Sequence, residues 1–351
     1  MISPLSTIPL LAGLLCVALH FIALHMFPRW KLLDFPERYG LIRRRLPYPS
    51  GILAVIAFLA VFFFMSAHDM KDIGLMAGVT MLGIISFIDD RTQLSPRVRL
   101  LLQILIALLL FAAGVRIYTI TNPLLTGGFL KLDTWNVVAP FFGSLPVWSG
   151  VFTVLWLLLT INALNWFDGI PGQVTTLGTI GFLTIGLLSL SARVNQPALA
   201  LIAFVLAAIA FACLLFDFPP PKVVLGDTGS MFFGLMLGSL TIFAGGKVAT
   251  AFLVLGVPLI DSFFVVIRRI AHGKSPLKGS SAGEHLHHRL LAKGWTPRQV
   301  IILTASIGLL FGGTALFLSS FQKLLAAVFL FCIMLALSIY SAPARKNAPA
   351  A

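Results

Sequence analysis

The sequence predicts an all-α integral membrane protein of about 11 transmembrane helices, with its working residues on cytoplasmic loops, and three observations carry that prediction. The first is composition. Of 351 residues, 58% are hydrophobic and 11% charged, with a mean hydropathy of +0.99, whereas soluble domains carry about 25% charged residues. The second is a recurrence of apolar runs able to cross about 30 Å of hydrocarbon as helices. These lie at approximately 5–27, 51–66, 73–88, 100–117, 149–164, 173–191, 197–216, 229–246, 249–267, 299–319 and 324–341. The third is where the cations fall. With the loop 28–50 inside, 19 of the 25 Lys and Arg residues lie on the cytoplasmic loops, which puts the N-terminus outside and the C-terminus in the cytoplasm. The net charge of +13 is therefore first a topology signal. It needs no nucleic-acid partner to explain it, and it favours an inner (plasma) membrane setting with anionic headgroups and substrates.

Taken in order, the first run has no basic leader and no small-residue cleavage site, so it is expected to be a retained helix and not a signal peptide. The inner loop behind it carries Arg43-Arg44-Arg45, with Asp34 and Arg38 unassigned. The outer loop 118–148 holds Asn122-Pro123 and Gly127-Gly128 and predicts a short hairpin over the outer surface. Pro219-Pro220-Pro221 stops the seventh run. No non-apolar stretch is long enough to fold alone, so residues 1–341 form one polytopic domain and 342–351 a short disordered tail. Cys16, Cys213 and Cys332 each sit within an apolar run and are expected as small core residues, not as a disulfide framework or a zinc site.

Of the twelve acidic residues, nine lie at the ends of apolar runs beside the inner loops. A carboxylate there is costly, about 2.5–3.5 kcal/mol at a helix centre on insertion scales, so such groups usually have a task. Four clusters define it. Asp89-Asp90-Arg91 follows the third run, and adjacent carboxylates can bind a hard cation or divide base and metal duties. The helix macrodipole disfavours acids at a C-terminus, which weighs against a merely structural pair. In the second cluster, Asn162, Asn165 and Asp168 recur every three residues, one polar stripe at the inner end of a span, and Gly169 and Gly172 follow. The third is Lys222 followed by Gly226-Asp227-Thr228-Gly229-Ser230 at a helix start, where backbone N–H groups can face an anion. A Walker lysine is absent, which argues against NTP hydrolysis. The fourth joins Arg268 with His285, His287, His288 and Arg289, imidazoles and guanidiniums suited to a diphosphate, while the cationic surroundings oppose zinc. Together these are the equipment of metal-assisted phosphoryl transfer at a membrane surface.

The order DDR with LSPRVRLLLQ, NxxNxxDGxxG, PKxxxGDTGS and HLHHRL, over residues 30–300, closely resembles the polyprenyl-phosphate N-acetylhexosamine-1-phosphate transferases. The DDR and HLHH forms resemble the branch that makes lipid-linked N-acetylglucosamine (GlcNAc). The pentapeptide branch, which transfers phospho-N-acetylmuramoyl-pentapeptide, is the alternative. The resemblance implies attack by undecaprenyl phosphate on a UDP-N-acetylhexosamine, releasing UMP, with Mg²⁺ (or Mn²⁺) as cofactor. It implies Asp227 and Asp89 as metal ligands, Asp90 as the group that deprotonates or orients the lipid phosphate, and His287 and His288 on the diphosphate. Asn165 and Asp168 would floor the nucleotide site, with Asp168 and His287 in the catalytic set. Asn162, Lys222, Arg268, His285 and Arg289 would complete substrate binding, and a homodimer is expected from the pentapeptide branch. The chain departs from the family pattern at Pro171 and Ala282, where acids are common, and at Tyr39–Arg45, which leaves the sugar and nucleobase open. An ion-coupled secondary transporter is the alternative from another class. It requires charges at mid-helix and paired broken segments, and the acids here sit at loop junctions instead.

Overall fold

A computed structural model describes residues 4–39, 43–124, 128–140, 143–245, 248–275 and 283–342. The expected tail beyond 342, Gly40–Ile42, Lys278 and Ala282 lie outside the described residues. Every predicted apolar run contains a helix. The helices are α1 (Pro4–Arg29), α2 (Gly51–Met65), α3 (Met70–Thr92), α4 (Pro96–Ala112), α5 (Val147–Phe167), α6 (Gln173–Leu190) and α7 (Pro197–Asp217), followed by α8 (Gly226–Phe243), α9 (Val248–Val254), α10 (Gly256–Ala271), α11 (Leu286–Ala292), α12 (Pro297–Ala315) and α13 (Ser320–Tyr340). Seven of these are long and apolar enough to cross a membrane, and a bent pair brings the number to eight. Together with family membership, established below, this makes the chain a multi-pass membrane protein. The expectation of about 11 spans is larger because α2 and α4 have only 15 and 17 residues and α8 spends its first turn on Gly-Asp-Thr-Gly-Ser. The run expected as one helix at 249–267 instead breaks after Val254 and turns through 84° into α10. Gly256 and Pro258 stand at that break, where a missing Cβ and a missing N–H loosen the helical ladder.

Three helix starts follow local chemistry closely. Ser95 accepts from Val98 N and is followed by Pro96, and Thr296 with Gln299 and Ser319 with Gln322 form reciprocal capping boxes. The loop 118–148, expected on the outer side, forms two short hairpins where one was expected, β1 (Thr119–Thr121) with β2 (Phe129–Lys131) and β3 (Asn136–Ala139) with β4 (Gly143–Pro146).

Helix α8 is the axis of the bundle, buried along almost its whole length. Glycines let its neighbours approach. A Cβ at Gly234 would lie 2.6 Å from the Thr160 carbonyl of α5, and one at Gly51 would lie 2.2 Å from Gly229 N. Such contact between backbones suits helices in lipid, where small residues replace hydrophobic exclusion as the means of tight packing. Cys16 and Cys213 are buried as expected, but Cys332 is exposed on α13, the helix least covered by its neighbours.

The loops at one end are laced together around α8. Pro47 O accepts from Val224 N at 3.0 Å, Ser50 N donates to Val224 O at 2.9 Å and Gly51 N donates to Leu225 O at 2.9 Å. This strap brings the first loop onto the turn before α8, the frame on which the polar residues are hung.

Candidate active site

Asp89 and Asp90 occupy the last turn of α3, where the macrodipole disfavours them. The structure resolves that conflict by giving each a cationic or N–H-rich neighbour. Asp90 lies at the N-terminus of α8, accepting from Asp227 N (2.8 Å), Thr228 N (3.0 Å), the Thr228 hydroxyl (2.5 Å) and the Tyr48 hydroxyl (2.6 Å). Both oxygens are engaged twice. Asp90, expected to deprotonate or orient the lipid phosphate, thus has both oxygens committed to Tyr48 and the start of α8 in this structure. Gly226, at φ +78°, permits this approach, since a Cβ there would meet Asp90 Oδ2 at 2.9 Å.

Asp89 accepts from Leu94 N at 2.7 Å through one oxygen and turns the other toward Arg99, 3.2 Å away. The same Arg99 nitrogen lies 2.9 Å from Asp227 Oδ2. Two carboxylates on separate helices thus converge on one cation position, with Arg99 standing in it. Hard oxygen donors in that arrangement fit Mg²⁺ or Mn²⁺, and Asp89 and Asp227 are the residues that would hold the ion.

The second stripe lies beside this pair. Asn165 donates to the Ser230 hydroxyl at 3.2 Å, and Asn162 donates to Gln103 Oε1 and Leu158 O, each at 2.8 Å. Asp168 caps α5 just beyond the span. Burial first, and then the carboxylates Asp217, Asp227 and Asp90, hold it well above the ordinary carboxylate range. Asp217, which the sequence did not single out, accepts from Gly172 N at 2.8 Å and the Thr175 hydroxyl at 3.2 Å, fixing the loop that follows Asp168.

The histidines reach the same loop. A Cβ at Gly169 would lie 1.9 Å from His287 Nε2, so the ring rests directly on the Asp-Gly turn. His287 is buried with both ring nitrogens unpartnered, stacked parallel to His285 at 5.6 Å and 4.2 Å from the His288 ring. Burial, then His288 and His285, keep it well below the usual histidine range, and burial lowers His288 likewise. His285 is aimed by Asp261, whose carboxylate meets His285 Nδ1 at 2.7 Å and accepts from Leu286 N at 2.9 Å at the start of α11. Asp261 was likewise missed. Although grouped with the acids at the ends of apolar runs, it lies six residues inside the run 249–267, and only its isolation among hydrophobic residues signals a role.

Three expected substrate residues lie elsewhere. Arg268 donates to Glu284 O and Ser338, and Arg289 to Ser338 O and Ser341 O, so both are committed to the end of α13. With Arg269 they line a separate cavity of about 490 Å³. Lys222 Nζ lies over the Phe216 ring, 5.7 Å from its centroid, and is in no ion pair among the described residues.

A multi-pass helical protein that collects carboxylates, amides and imidazoles at one end of its bundle has the groups expected of the class of membrane transferases acting on phosphorylated substrates. Comparison with known proteins specifies the class. Residues 72–245 match the model for "Glycosyl transferase family 4". The chain is 30% identical to a probable undecaprenyl-phosphate N-acetylglucosaminyl 1-phosphate transferase of Bacillus subtilis, over 75% of this chain and 70% of that protein. It is 31% identical to a decaprenyl-phosphate N-acetylglucosaminephosphotransferase of Mycolicibacterium smegmatis, over 62% of this chain and 56% of the relative. It is also 27% identical to a phospho-N-acetylmuramoyl-pentapeptide-transferase of a Wolbachia species, over 76% and 82%. The chain belongs to glycosyl transferase family 4, the polyprenyl-phosphate N-acetylhexosamine-1-phosphate transferases.

Proposed function

We propose that the protein transfers GlcNAc 1-phosphate from UDP-GlcNAc to undecaprenyl phosphate, an early membrane step of cell-envelope glycan synthesis, at the cytoplasmic face of the inner membrane. The observation that carries this is the convergence of Asp89 and Asp227 on one cation position, beside the Asn165–Asp168 stripe and under the neutral His287. A phosphate oxygen of the lipid attacks the β-phosphorus of the donor. The bond from that phosphorus to the bridging oxygen breaks, and UMP leaves with the electron pair. One phosphoanhydride replaces another, so the reaction is freely reversible.

A phosphomonoester with a second pKa of about 6 is already a dianion at neutral pH. It needs no general base, which accords with an Asp90 wholly engaged in capping α8. Bound Mg²⁺, held by Asp89 and Asp227, would neutralise the charge of the donor diphosphate and the negative charge that develops on the phosphate of the leaving UMP. Arg99, which occupies that position in this structure, supplies positive charge there when the ion is not bound. His287, with two unpartnered ring nitrogens, can donate one hydrogen bond to a phosphoryl oxygen without itself carrying charge, and Asn165 can donate its amide to the donor.

Transfer from radiolabelled UDP-GlcNAc to undecaprenyl phosphate by purified protein, with Mg²⁺ and with EDTA, tests the proposal. An organic-extractable product with UMP release, lost in EDTA, is expected. Turnover with UDP-N-acetylmuramoyl-pentapeptide alone would move the chain to the other branch, and no turnover with any UDP-sugar would refute the transferase chemistry.

A further inference from the structure

Outside the site, Arg44 and Arg45 of the first loop and Lys222 of the loop before α8 line one cavity of about 520 Å³, although their loops are far apart in sequence. The rest of its wall is apolar and includes Leu24 and Pro28 of the last turns of α1, and no carboxylate lines it. Arg45 has an exposed partner in Glu37 at 3.2 Å, a kind of pair that holds little charge in place. Among the described residues neither Arg44 nor Lys222 is paired with a carboxylate. Positive-inside topology explains cations on this face but not their gathering in one cavity with a hydrocarbon wall.

The depth of the cavity suits a lipid. Helix α1 is long and apolar enough to cross a membrane and ends at Arg29, which sets Leu24 and Pro28 in its last turns, at the level expected for the change from acyl chains to headgroups. Below them, Phe21 and Ile22 of α1 and Leu215 of α7 are exposed, a surface along which chains can lie.

We propose that this cavity binds the phosphodiester headgroup of an anionic bilayer phospholipid. None of Asp89, Asp227, Asn165 or His287 lines it, which separates it from the place where the acceptor must react. Its wall nevertheless belongs to the strap described above. Pro47 lines it, and the next residue, Tyr48, donates to Asp90. A bound headgroup therefore touches the strap next to the residue that holds Asp90.

The test is native mass spectrometry of the full-length protein titrated with phosphatidylglycerol, with melting midpoints read in parallel. A cation near an anionic lipid contributes roughly fivefold in affinity, so Arg44→Gln with Lys222→Gln should weaken the tightest binding by roughly 25-fold and abolish the rise in midpoint that the lipid gives. Arg44→Lys should bind as the parent does. So should Lys131→Gln, which removes a cation from the hairpins at the other end. Unchanged binding in the double variant, or equal weakening by Lys131→Gln, would overturn the proposal. Displacement of the lipid by millimolar inorganic phosphate would make this a free-anion site, and displacement by undecaprenyl phosphate an acceptor site; either result would also overturn it.

Discussion

Asp89 and Asp90 are neighbours in the chain and have different tasks in the fold. Asp90 receives four hydrogen bonds and fixes α3 to α8, whereas Asp227 is one-third exposed (34%) and faces the cation position. Asp90→Asn turns an amide NH₂ toward N–H donors, leaving a buried group unsatisfied at a cost of about 1–3 kcal/mol. It is expected to lower the melting midpoint clearly, and Tyr48→Phe more mildly. Asp227→Asn should melt like the parent and lose turnover by about 10²–10³-fold, as when a preorganised charge-stabilising group is removed. A variant at Asp90 that melts normally yet turns over poorly would restore it as a catalytic group. His287 gives a pH test. Its native pKa lies well below the ordinary value of 6.5, so below about pH 6.5 the unfolded chain binds a proton that the native one does not. Its contribution to stability is therefore intact above that pH and lost as pH falls through it. Between pH 7.5 and 5.5 the parent's midpoint should fall further than that of His287→Gln. The paired acids, the amide stripe, GDTGS and HLHH were legible in the sequence because each is a local cluster of chemistry. Arg99, Asp217 and Asp261 were not, because each acts on a partner remote in sequence, Asp227, Gly172 and His285 respectively. Lys222, Arg268 and Arg289 show the converse. Nearness to a motif suggested a substrate-binding role for them, whereas in the fold Arg268 and Arg289 bond to residues at the end of α13 and Lys222 lies over the Phe216 ring.

At the scale of elements, hydropathy located the long helices but not the short α11, and it could not see the break at Gly256, because an apolar run reads the same whether it is straight or bent. The sequence does hold its cause, a Gly-Val-Pro within the run. Helix α8 shows why glycine position matters more than glycine count. At Gly51 an added methyl would lie 2.2 Å from Gly229 N, and neither backbone can yield without separating α2 from α8. At Gly313 in α12 nothing lies within 4 Å. Gly51→Ala should therefore lower the midpoint sharply and impair turnover, since the strap to Leu225 starts there. Gly313→Ala should leave turnover unchanged and stabilise by about 0.5–1 kcal/mol, the gain of Ala over Gly in a helix. Comparable losses in both variants would show that glycine content, not the α2–α8 approach, governs the bundle.

For the whole molecule, the two ends of the bundle differ in kind. One carries two small hairpins and few ionisable groups, and the other holds the strap, the carboxylates and the histidines. The proposed orientation sets the second end in the cytoplasm, as the 19 of 25 cations on its loops favour. Single cysteines can test this once Cys332 is replaced by serine, because Cys16 and Cys213 are buried. Asp133→Cys, on the segment between the two hairpins, should react with a membrane-impermeant maleimide in intact cells. Arg44→Cys should react only after the cells are opened. Both positions need to be read in the same preparation, since labelling of neither would report burial and labelling of both would report leakage. The reverse pattern, Arg44→Cys labelled in intact cells and Asp133→Cys protected, would invert the topology. The site would then face away from the cytoplasmic pool of nucleotide sugars, and the proposed donor would be ruled out along with the orientation.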